Sequence, residues 1–204
     1  MTPTSATAAD YLWFAERYPD LTDGYCFTLV EGLTPGEALR RAGAEETGSL
    51  SGVAAICEVS YDTWDEYDGD RLFVAATTVG DGWVLLVEAN GFLGNLPEQQ
   101  RALSEGTRFV SHFSNIGTGE RFHWIEDGRL RLRFEFPWEG EGSDAEAAAA
   151  VMRAAGFVPD EDDERSNRLR REAAFALAER LTGVRLTPEL LETAEYTGGL
   201  VTLR

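Results

Sequence analysis

The run Trp83-Val84-Leu85-Leu86-Val87 places five apolar residues in a row with no polar residue between them. Side chains of a strand point alternately to its two faces, so a strand with one wet face would alternate. Gly80-Asp81-Gly82 and Asn90-Gly91 mark turns at its two ends. The segment is therefore expected to be a central strand covered on both faces.

Leu72–Val79 precedes it as a second β-rich run, and Gly80-Asp81-Gly82 makes the two a hairpin. Arg108–Phe113 reads as a further strand. Arg121–Glu126 and Arg129–Phe136 form another hairpin around Asp127-Gly128, and Pro97–Ser104 is a short helix between the hairpins. Cys26 lies in the strand-like Tyr25–Val30 and Cys57 in the strand-like Val53–Val59. The acidic stretches Asp62–Asp70 and Asp160–Glu164 read as surface loops.

Helices are marked by their ends. Thr7 and Asp10 make a capping box for a helix with Tyr11, Phe14 and Tyr18 on one face, which Pro19 ends. Thr34-Pro35-Gly36-Glu37 starts a second, which Gly43 stops. Ser143 and Glu146 open an alanine-rich helix closed by Gly156. Ser166 opens a longer one that runs to Gly183 with Leu169, Ala173, Leu177 and Leu181 in period, and Thr187-Pro188 starts the last. Strands gathered in the middle and helices at the ends predict an α+β fold. Its mostly antiparallel sheet is built from hairpins, flanked by N-terminal and C-terminal helices, in one globular domain over residues 1–204.

The chemistry is bounded by what is missing. All 18 basic residues are arginine. Schiff-base and pyridoxal-phosphate enzymes, Walker-A nucleotidases and protein kinases each need a lysine amine, so none of them can be built from this chain. Gly48-Ser49-Leu50-Ser51-Gly52 has leucine where a nucleophile elbow needs serine. Gly117-Thr118-Gly119-Glu120-Arg121 lacks the lysine and context of a phosphate loop. Asp62–Asp70 fits no EF-hand register. Two cysteines and two histidines make no recognised zinc spacing, and buried free thiols in a reducing compartment are expected over a single disulfide. No catalytic residue, metal or cofactor is assigned. The N-terminus has no secretory signal pattern and no run is long enough to span a membrane, which reads as cytoplasmic.

The concentration of ligand-like chemistry is the second hairpin. With a two-residue Asp127-Gly128 turn, Glu126 would face Arg129, Trp124 would face Arg131 and Phe122 would face Arg133, all on one side; a three-residue turn with a bulge would change this register. His123, Ile125, Leu130, Leu132 and Phe134 would form the opposite, core side. An arginine stripe among aromatics suits an anionic or aromatic ligand, or shields the aromatics with arginine stems. Phe122, Trp124, Arg129, Arg131 and Arg133 are candidate ligand- or partner-binding residues. Asn90 and Gly91, at the end of the central strand, join them as either a functional loop or a tight turn. His112 and His123 are the groups able to transfer protons near neutral pH, and structural roles are the commoner fate of such residues.

Four segments, Asp10–Phe14, Gly32–Pro35, Gly82–Phe92 and Phe175–Val184, resemble a family of uncharacterised proteins from high-GC bacteria. The likeness spans nearly the whole chain and is most specific at Trp83–Phe92. It implies a single domain in a bacterial cytoplasm and carries no activity.

A net charge of −18 argues against nucleic acid and anionic membranes as partners and favours either a basic protein partner or none, the acidic surface then serving solubility. With five tryptophans, six tyrosines and eleven phenylalanines, the expectation is a non-enzymatic acidic interaction protein, such as an immunity-like antagonist of a toxin or a regulatory partner. The alternative is a small-molecule binding domain or enzyme that holds an anionic ligand on the arginine and aromatic hairpin. Oligomeric state is not encoded in any legible pattern.

Overall fold

The fold was obtained as a computed structural model, and the structure describes residues 4–158, 160 and 168–203. A 3-10 turn (Ala8–Tyr11) leads into α1 (Trp13–Arg17), α2 (Pro19–Asp23) and β1 (Gly24–Glu31). Then come α3 (Pro35–Ala42), β2 (Ala44–Ser51), α4 (Gly52–Tyr67), β3 (Arg71–Val79) and β4 (Trp83–Ala89). A 3-10 turn at Leu93–Asn95 precedes α5 (Pro97–Ser104), β5 (Arg108–Asn115), β6 (Gly119–Glu126) and β7 (Arg129–Phe134). The chain closes with α6 (Ala145–Ala155), α7 (Arg170–Thr182), α8 (Pro188–Thr193) and β8 (Glu195–Thr202).

The strands form one antiparallel sheet in the order β2-β8-β3-β4-β1-β5-β6-β7. The architecture is α+β, as the element pattern predicts. β4 is buried at every position and sits between β3 and β1. Trp83, Leu85, Val87 and Ala89 enter one core, with Phe14, Ile56, Phe175 and Leu177. Val84 and Leu86 enter a second core on the other face, with Leu39 of α3 and Leu103 of α5. Two-sided burial is the reason the run does not alternate.

Several end signals act as read. Thr7 and Asp10 cap the first 3-10 turn reciprocally, and Thr34 and Thr187 cap α3 and α8 through the amides of Glu37 and Leu190. Gly43 and Gly183 end α3 and α7 in the left-handed region. Four expectations need correction. Pro19 ends α1 and also occupies the first turn of α2, where its missing N–H costs nothing. Asp144, not Ser143, precedes α6; the Ser143 hydroxyl turns to the Asp144 carboxylate and the Leu130 carbonyl. Val53–Val59 is the first half of α4 rather than a strand, and Asp62–Tyr67 is its second half rather than a loop. Ser166 and Glu161–Glu164 lie outside the described residues, and the long helix is described from Arg170, with Leu169 as its left-handed lead-in.

Past β4 the chain is latched to the sheet. Asn90, at φ 52°, donates its N–H to the Gly24 carbonyl at 2.8 Å. The fully buried Glu88 carboxylate accepts the Leu93 N–H at 2.9 Å. A Cβ on Gly91 would sit 2.3 Å from Glu88 Oε2, and one on Gly94 would collide with Cys26, Thr28 and Ser111. Glycine is therefore required where backbone crosses these polar side chains. Burial pushes the Glu88 carboxyl up to about 7 against the lowering pull of the Leu93 amide.

Two measurements test this framework. Leu85→Ala should lower the unfolding free energy by about 3 kcal/mol, while Leu12→Ala, at an exposed site, should change it by about 0.5 kcal/mol or less. Urea titration reads both. A carboxyl with a raised folded pKa favours the native state below its unfolded pKa and loses that contribution as pH rises through the folded value. Between pH 5 and pH 8 the wild type should thus lose stability relative to Glu88→Gln, by about 3 kcal/mol. Parallel pH profiles for the two proteins would refute the assignment.

Candidate functional site

The second hairpin does not keep the register that its two-residue turn implies. Glu126 does face Arg129 and Ile125 faces Leu130, but Trp124 faces Leu132, His123 faces Arg133 and Phe122 faces Phe134. Arg131 is the extra residue of a β-bulge, and beyond it the alternation of β7 is reversed. Trp124–Arg131 and Phe122–Arg133, expected from simple counting, are therefore not directly opposed pairs, although the Arg131 guanidinium still reaches over the Trp124 ring. The bulge has a structural use. It lets Leu130 share the second core with Ile125, while Leu132 and Phe134 drop into the first core with Phe122. The Phe122 and Phe134 rings stack at 5.3 Å.

Two of the three β7 guanidiniums are committed to carboxylates. Arg131 pairs with Asp144 at 3.0 Å and Glu126 at 3.3 Å and lies 5.9 Å above the Trp124 ring. Arg133 pairs with Glu141 at 2.7 Å, in a short bridge that also joins the two backbones. Arg129 is exposed. A groove of about 580 Å³ beside the hairpin is lined by Arg121, His123, Arg133, Glu135, Glu139 and Glu141, a set of mixed sign. Asn90 and Gly91 lie away from it, in the latch over Glu88.

Neither histidine is placed for proton transfer near neutrality. His112 is buried on the first core, 3.3 Å from the Tyr25 hydroxyl and against Phe175, and burial lowers it to about 3. His123 is lowered to about 4 by burial and by Arg133 and Arg121. Burial raises the Cys26 thiol well above the usual range and Cys57 to about 11; both are free.

A different surface emerges at α4. Its inner face carries Val53, Ile56, Ser60 and Thr63. The outer face exposes Val59, Tyr61 and Trp64, each 37% accessible, among Glu58, Asp62, Asp65 and Glu66. Asp68 and Asp70 follow in the turn, and no cationic residue occurs between Gly52 and Asp70. The Trp64 ring rests on Gly69, whose φ of 82° closes the turn beneath it. The Tyr61 hydroxyl donates to the Asp20 carbonyl at 3.2 Å, tying this face to α2. Elsewhere among the described residues, nine of the 18 arginines pair with carboxylates. The acids of α4 and its turn make no ion pair among those residues.

A groove of about 370 Å³ runs along the start of this face, between α2, α4 and α8. Neither surface nor groove is legible in the sequence, where the residues of α4 read as a strand and a loop. The spacing of Cys57, Tyr61 and Trp64 at i, i+4 and i+7 was the available signal.

Among the described residues no helix is long and apolar enough to cross a membrane. No curated protein and no solved structure matches the chain. The model of a family of unknown function, DUF6461, matches residues 4–204, and the chain belongs to that family.

Proposed function

We propose that this chain is a non-enzymatic binding protein that captures a basic protein partner through the outer face of α4. The observation that carries the reading is the composition of that face: three large apolar side chains set among carboxylates that no arginine neutralises among the described residues. Carboxylates of one sign speed the encounter with a basic surface, and aromatic side chains supply binding energy once the surfaces touch.

An antagonist of a basic toxin and a regulatory partner both fit this chemistry. A reducing, cytoplasmic setting is part of the reading, supported by two cysteines that remain free thiols. The arginine hairpin is the weaker surface for an anionic ligand, because such a ligand would have to displace Asp144, Glu126 or Glu141 from the guanidiniums.

The test begins with capture from lysate at low salt to isolate a partner, which is then purified and studied in isolation. The expected complex has one-to-one stoichiometry, and its association rate falls about tenfold or more between low and high salt. Asp62→Arg with Asp65→Arg should abolish the rate advantage. Glu98→Arg with Glu105→Arg, the same charge change at α5, should leave most of it. Trp64→Ala should weaken the complex by about 2 kcal/mol. Salt-independent association, or equal losses from the two double variants, would overturn the proposal.

A further inference from the structure

We propose that the groove between α2, α4 and α8 is the anchor site for an arginine side chain of the partner. This inference rests on the binding reading above and names the chemical group that the partner inserts.

The groove combines apolar side chains with two carboxylates and one guanidinium. Leu21, Val53, Ala54 and Cys57 supply the apolar surface, and the exposed Asp20, Glu192 and Arg17 supply the charge. This pairing suits a side chain with an aliphatic stem and a cationic head, since the stem leaves water while the head keeps polar partners. The groove beside the hairpin carries two arginines, one histidine and three carboxylates, with Phe134 as its one large apolar residue.

The head-group chemistry is displayed by the chain itself. Arg17 forms a two-pronged pair with Glu192, its Nε to Oε1 and its Nη2 to Oε2 at 2.9 Å. The Tyr18 hydroxyl donates to the same carboxylate at 3.0 Å. Glu192 is thereby oriented for a guanidinium fork, which an ammonium could not match. Asp20 has no ion-pair partner among the described residues. An incoming arginine pairs with Asp20, whose carboxylate needs no partner displaced, and shares Glu192 with Arg17. The Tyr61 hydroxyl bonded to the Asp20 carbonyl joins the groove to the aromatic face of α4, so one partner can cover both.

Cys57 lines the groove and is partly accessible, while Cys26 is fully buried, so a neutral thiol reagent reads the groove alone. The full chain is alkylated with N-ethylmaleimide and followed by intact mass, with N-acetyl-arginine amide as probe and N-acetyl-citrulline amide as its uncharged isostere. Near 10 mM, the arginine probe should slow Cys57 modification about threefold, as expected for millimolar affinity. The citrulline probe should have little effect. Asp20→Asn should remove the protection, and Arg17→Gln should deepen it by freeing Glu192. Equal protection by citrulline, no protection by arginine, or protection unchanged in Asp20→Asn would each overturn the anchor. Partner capture that depends on Asp62 and Asp65 without Cys57 protection would refute the groove and leave the binding reading standing. Cys57 protection with capture indifferent to those acids would refute the binding surface instead.

Discussion

Burial of β4 on both faces is the constraint from which the rest of the architecture follows. A strand with no polar face cannot lie at an edge or under a single layer. β3 and β1 pair with it on either side, and helices must lie above and below. The first core takes α1, α2, α4, α6, α7 and α8; the second is smaller and takes α3 and α5. Glu88 is the one charged-type residue of that strand, and the turn that crosses it satisfies it with a backbone amide. The Asn90–Gly94 segment is therefore shaped by the need to cover a buried carboxyl, which accounts for its glycines without any ligand.

Arginine serves two purposes in a lysine-free chain. Its fork makes two-pronged pairs, as Arg108 does with Glu31 and Arg17 with Glu192, and its stem covers rings, as over Trp83 and Trp124. Each such pair removes a carboxylate from the acidic field. What remains unpaired is not spread evenly: α4 and its turn retain six acids and no cation. The net charge is thus a statement about one face as much as about the whole molecule.

Much of the fold was legible where local chemistry and burial agree. Pro35–Ala42, Pro97–Ser104, the β3–β4 hairpin and the strands around Asp127-Gly128 lie within a residue or two of the segments read from sequence. β8 was hidden by Gly198-Gly199, which have the composition of a turn but are needed because side chains there would strike Phe73 and Ala44. β2 was hidden because it is an exposed edge strand with almost no apolar residue. The bulge at Arg131 is invisible to counting, since Leu-Arg-Leu-Arg-Phe alternates perfectly in sequence while the structure sends Leu130 and Leu132 to opposite faces.

The failure at α4 has a different origin and bears on function. After Val53 and Ile56 its inward positions are Ser60 and Thr63, so the apolar period fades where the helix continues. Its large residues, Tyr61 and Trp64, point along the flank toward solvent instead. A helix that served only the core would carry the opposite arrangement, with leucine inside and charge outside. Local pattern and global role disagree here because the bulky side chains are deployed outward, beside carboxylates with no internal partner among the described residues. Such disagreement is expected where a surface answers to something outside the chain. The same distribution that hid the helix in the sequence makes its outer face the place to look for a partner.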